Sequence, residues 1–203
     1  MGGAAFAQAF ADGEPTLNTL RMDPALYNQL KQTYLSKLRD YFKYGQVNAM
    51  IEAPEKTSYG DIDFCVAIDD TVDFPNLARH LGAAGLIVYS PKKATLALTR
   101  DGEMSTRPCV LYKDKPHASS GEHNAGVDPV EYAQVDVEVI APSALEWYMF
   151  YSSYSDMAGL LGRIVSPGLG FTGKLSMRMT ACTLSYANHV QSAIVVWKSG
   201  CPS

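Results

Sequence analysis

The chain has little of what soft-metal or redox chemistry needs. Its four cysteines (Cys65, Cys109, Cys182, Cys201) are widely spaced and no two form a CxxC pair. A disulfide framework is therefore not indicated, and a reducing compartment is the default. Cys65 and Cys109 stand in apolar, strand-like runs and read as small core residues. The histidines show no HxH or HxxxH spacing, which argues against a zinc site. Long apolar runs are missing as well: no window approaches the twenty apolar residues of a membrane-spanning helix. The apolar stretch through Ala11 has no Lys or Arg before it and makes a poor signal peptide. Gly2 would suit myristoylation, but Phe6 stands where Ser or Thr is wanted. The expectation is an intracellular protein, cytoplasmic or nuclear, with no membrane partner. Acidic residues run out after Asp156, while Arg163, Lys174, Arg178 and Lys198 remain, so the acidic excess lies wholly before that point. The net charge of -4 disfavours general binding to nucleic acid, which is driven by Lys and Arg.

What is present is ordinary globular composition, 47% hydrophobic and 19% charged, over a length that suits one domain with an appendage. Residues 1–20, rich in Ala and Gly, read as a mobile arm. Asp23-Pro24 opens a helix whose Leu26, Leu30, Tyr34, Leu38 and Tyr41 recur at helical spacing and stop near Gly45. Strands are expected at about residues 47–51 and 61–68. A second helix starts at Asp73 and Pro75 and is closed by Gly82 or Gly85. Strands follow at about 86–89, 94–99 and 109–112, with Lys92-Lys93 in a turn, then an exposed loop over 113–129 and a strand over 132–140. Ser143 is the expected cap of a helix carrying Trp147, Phe150, Tyr154, Met157, Leu161 and Ile164, broken by the Gly- and Pro-bearing residues 166–173. The fold class expected is α+β, a mixed sheet flanked by helices. Residues 21–173 form the main domain and 174–203 an extension of undecided structure.

Two strings carry chemistry. In Tyr59-Gly60-Asp61-Ile62-Asp63-Phe64, strand alternation puts Asp61 and Asp63 on one face and Ile62 and Phe64 on the other. Val135-Asp136-Val137-Glu138-Val139 repeats the device. Half-buried strands that each present two carboxylates invite a divalent cation, because unpaired like charges raise each other's pKa and weaken the sheet. The plain alternative is a solvated acidic face. Asp136 is the better ligand of the second string, with Glu138 a supporting neighbour or a solvent-facing acid.

The order helix, strand, loop, Gly-Asp-x-Asp strand, then a distant apolar-Asp-apolar strand followed by a helix resembles the palm of the DNA polymerase β superfamily of nucleotidyltransferases. The stretch from Ile51 through Asp63 is also similar to one in uncharacterised fungal nucleotidyltransferase-like proteins. The resemblance spans about residues 24–173. It implies a palm-like fold in which Asp61, Asp63 and Asp136 are the catalytic, metal-binding carboxylates. They would hold Mg2+, or Mn2+ in its place, for transfer of a nucleoside monophosphate from a nucleoside triphosphate to an acceptor the sequence does not identify. The family places a Gly-Ser pair shortly before the Asp-x-Asp to grip the triphosphate, and Glu52-Ala53 falls nearest that position here. Lys56, Thr57, Ser58 and the Gly60 amide are the substitute nucleotide-binding candidates. The other expectation is a non-catalytic module of the same fold that binds a nucleotide or partner without turnover.

Overall fold

An aspartate before a proline fixes the first helix. Asp23 Oδ1 accepts from the Ala25 and Leu26 N–H groups at 2.8 and 2.9 Å, and Pro24 costs no hydrogen bond at the first helical position. In the computed structural model, which describes residues 3–6, 16–112 and 129–153, helix α1 runs Pro24–Tyr41. It buries Tyr27, Leu30, Tyr34, Leu35 and Leu38 along one stripe. It ends earlier than Gly45, at Phe42, whose N–H returns to the Leu38 carbonyl. Helix α2, Phe74–Leu81, is capped by Asp73 and closed by Gly82 in the left-handed region at φ 71°. Only glycine takes that conformation cheaply.

The chain divides into two compact units. The first, residues 1–50 with 55–142, holds α1, α2 and a mixed sheet of seven strands. These are β1 (Asn18–Thr19), β2 (Gln46–Ala49), β3 (Asp61–Ala67), β4 (Gly85–Ser90), β5 (Lys93–Thr99), β6 (Val110–Tyr112) and β7 (Glu131–Ile140). Their order is β2-β3-β7-β5-β4-β6, with β1 paired to the start of β7. Strands β3 and β7 are parallel neighbours, and β5 runs antiparallel to β7 on its other side. The fold class is therefore α+β with a mixed sheet, as the sequence pattern implies.

Alternation divides the sheet into two unlike faces. Ile62, Phe64, Val66, Val135, Val137, Val139, Leu96 and Leu98 pack under α1 and α2 in the main core. The opposite face carries the acids, and beside them a smaller core of Phe6, Leu17, Ala84, Ile87, Ala97, Tyr112 and Tyr132. Residues 3–6 and 16–20 thus correct the expected mobile arm. Phe6 and Leu17 are buried, the Leu17 N–H donates to the Phe6 carbonyl at 3.2 Å, and β1 pairs with Glu131 and Tyr132. Isolated apolar residues among alanines and glycines show no periodicity, so their burial left no pattern to read.

Other boundaries shift by a few residues, and two assignments change. Cys109 precedes β6 and is exposed, whereas Cys65 on β3 is buried. Lys93 is the first residue of β5, not part of a turn. The second unit is residues 51–54 with 143–203; a 3-10 turn at Pro142–Ala144 begins at the last residue of the first unit and precedes helix α3, Leu145–Ser152. Ser143 lies inside that turn and Ala144 takes the cap position without a side-chain hydrogen bond, which corrects Ser143 as the cap. The loop over 113–128, the helix beyond 153 and residues 174–203 lie outside the described residues. Among the described residues no helix is long and apolar enough to cross a membrane.

Candidate metal centre

Parallel pairing of β3 with β7 makes the acidic face. The register sets Asp63 opposite Asp136 and Asp61 opposite Gln134, so all four side chains leave the sheet on the same side. One carboxylate oxygen from each of Asp61, Asp63 and Asp136 lies within 4.8 Å of the others, and all three residues are half-buried. Three acids from distant parts of the chain therefore converge: alternation sets the shared face within each strand, and the parallel register joins the two faces.

Asp136 is held by two side-chain donors. Its Oδ1 accepts from Thr95 Oγ1 at 2.7 Å and from Gln134 Nε2 at 3.1 Å. Thr95 is its register partner on β5, and Gln134 precedes it by two residues on the same face of β7. Desolvation pushes the Asp136 carboxyl above the usual aspartate range, and the nearby Asp61 charge adds to that push. The Thr95 and Gln134 hydrogen bonds and the charge of Lys93 oppose it without reversing it. Sequence reasoning missed both donors. Period-two spacing from Asp136 was the signal for Gln134, whereas Thr95 needs the β5 register, which the sequence does not show.

The next residue pair along the same face is an ion pair. Lys93 Nζ lies 3.4 Å from Glu138 Oε2, and both are register partners on central strands. Desolvation presses the Lys93 pKa down, but Glu138, with Asp136 and Asp63 behind it, outweighs this and the net shift is upward. Glu138 is thus a partner of Lys93 rather than an acid at the sheet's edge. Cys65, opposite Glu138 on β3, has its thiol pushed up to about 11 by burial and by the Glu138 charge. At pH 8 about a thousandth of it is thiolate, the form that reacts. Alkylation of the folded protein followed by peptide mass spectrometry should leave Cys65 unmodified, with labelling only after denaturation. Rapid labelling in the native state would contradict its burial.

The nucleotide-binding candidates divide differently. Lys56 Nζ sits 4.9 Å from the centroid of the Tyr59 ring, and Tyr59 stacks on Tyr27 of α1 at 3.8 Å. Ser58 is held by Arg21, whose Nε donates to Ser58 Oγ at 2.7 Å and Nη2 to the Ser58 carbonyl at 2.8 Å. Gly60 is buried, with Gly3 against it. Thr57 is exposed. The structure brings the three aspartates together; it places Lys56 and Ser58 in contacts of their own, and Gly60 under the N-terminal residues. Arg21, a cation that contacts this loop from before α1, went unnoticed in the sequence because it precedes β3 by forty residues.

The donor set suits a hard divalent cation: carboxylate oxygens only, partly desolvated, with no sulfur or imidazole among them. Such a cation would relieve the mutual repulsion that Asp136 and Asp61 now sustain. No protein-family model matches the chain, and no curated protein shows significant sequence similarity to it.

Proposed function

We propose that this protein is a metal-dependent nucleotidyltransferase that moves a nucleoside monophosphate from a nucleoside triphosphate to an acceptor hydroxyl. The convergence of Asp61, Asp63 and Asp136 on one face of a parallel strand pair carries this reading. When bound, Mg2+ or Mn2+ supplies charge neutralisation at the phosphates and lowers the pKa of the attacking hydroxyl. Asp61 and Asp63 would hold the cation from β3, and Asp136 from β7. The acceptor oxygen forms a bond to the α-phosphorus, the bond to the β-phosphate oxygen breaks, and pyrophosphate leaves. The acceptor proton would pass to the Asp136 carboxylate, which faces the site from β7. Arg21, Ser58 and Lys56, on or in contact with the segment leading into β3, would offer positive charge and a hydroxyl to the leaving phosphates.

A non-catalytic module that binds nucleotide is the second reading. The observation favouring it is that Lys56 and Ser58 already have partners within the protein. Calorimetric titration with nucleoside triphosphates, with and without Mg2+, decides between them when paired with an assay for pyrophosphate release. Transfer predicts Mg2+-dependent binding and release, both lost in Asp61→Ala. Binding that persists without Mg2+ and without turnover supports the module. No nucleotide binding under either condition removes both.

A further inference from the structure

One buried polar side chain on the acidic face has no part in the transfer chemistry. Gln134 accepts from the Ala5 backbone N–H through Oε1 at 3.0 Å and donates through Nε2 to Asp136 Oδ1 at 3.1 Å. With a backbone donor on one side and a carboxylate on the other, the amide can face only one way. Residues 3–6 are themselves held from several directions. Thr19 Oγ1 donates to the Gly3 carbonyl at 2.8 Å, and the Phe6 ring fills the smaller core edge-on to Tyr112 at 5.6 Å. Gly3 adopts φ 92° and lies so close to Gly60 that a Cβ there would collide with the Gly60 carbonyl oxygen. Gly60 immediately precedes Asp61. The same four residues therefore touch the backbone leading into one acid and, through one amide, the carboxylate of another.

We propose that residues 3–6 are a built-in part of the cation centre, and that Gln134 is the positioning residue through which their docking sets the Asp136 carboxylate. This rests on the cation-binding reading above. A carboxylate turns easily about its last torsion. Thr95 and Gln134 together pin Oδ1, which leaves the other oxygen to face a cation in one orientation. Without the Ala5 N–H, the Gln134 amide loses the contact that anchors its far end, so it no longer holds Asp136 from a fixed position and Thr95 is the anchored donor that remains. Ordering the ligand then falls to the cation, and its affinity drops.

The test is a Mn2+ titration of the full chain, without nucleotide, followed by electron paramagnetic resonance. Gly3→Val expels the segment while leaving every acid and both donors in place. Gln134→Met keeps the segment's apolar contacts but cuts the link. Each should weaken Mn2+ binding about tenfold, the low end for loss of a group that orients a ligand, and should broaden the bound-Mn2+ spectrum. The double variant should also lose about tenfold rather than a hundredfold, because both changes break one chain of contacts. Circular dichroism confirms that each variant is folded at the titration temperature. Should Gly3→Val not fold, Gln134→Met alone decides. Wild-type affinity and spectrum in a folded variant, or additive losses in the double, would overturn the coupling. A wild-type protein that takes up no Mn2+ removes the cation reading and this one with it.

Discussion

Asp136→Asn should abolish cation-dependent behaviour while leaving the apoprotein at least as stable as wild type. The amide oxygen of the new side chain can still accept from Thr95 and Gln134, as Asp136 Oδ1 does at 2.7 and 3.1 Å. Its other atom becomes an NH2 that repels a cation. Removing a group that merely orients a ligand costs ten- to a hundredfold, so nucleotidyl transfer should fall by more than about a hundredfold when the ligand itself is lost. Stability should move the other way. Wild type at a cation concentration a hundred times the dissociation constant gains about 2.7 kcal/mol, or a rise of about 5–10 °C in Tm for a chain of this size. The variant should show no such rise.

The pH dependence follows from the same group. The folded protein raises the Asp136 pKa, so it holds the proton more tightly than the unfolded chain does. The stability this contributes is complete below the ordinary aspartate pKa. It is lost as pH climbs from there through the raised folded value. Apoprotein melting curves should therefore slope downward across that window in wild type and lie flatter in Asp136→Asn. A cation shift that survives in the variant would show that Asp136 is not a ligand.

Phe6→Ala carries the second large effect, on stability. Burying a Phe completely and then truncating it costs about 3–5 kcal/mol where the surroundings cannot collapse. Phe6 is fully buried, packed with Leu17, Ile87, Ala97, Tyr112 and Tyr132. If residues 3–6 undock while the main core stays intact, the cost of undocking sets the upper limit of the loss. The expected loss is thus near 3 kcal/mol by urea denaturation. A loss below about 1 kcal/mol would mean that the smaller core contributes little.

The legible parts of this protein were those with a period. Alternation in the strings around Asp61 and Asp136 fixed which acids share a face, and the parallel register confirmed it. Asp23-Pro24 and Asp73 with Gly82 marked helix ends because capping is local chemistry. Gly45 misled, since it lies beyond the point where Phe42 closes α1. The illegible parts depend on contacts between distant residues. Nothing adjacent to Phe6 announces Tyr112, nor does anything near Thr95 announce Asp136, because those meetings are made by strand order. Lys93 looked like a turn residue, yet its partner Glu138 lies on a strand that passes beside it only in three dimensions.

The stacked rings of Tyr27 and Tyr59 have a practical use. They lie 3.8 Å apart and 12° from parallel, with Lys31 5.4 Å from one centroid and Lys56 4.9 Å from the other. At that spacing their ultraviolet transitions couple, which contributes to the near-ultraviolet dichroic signal. The difference in that signal between wild type and Tyr59→Leu isolates this pair among the chain's twelve tyrosines, and with it the segment leading into β3.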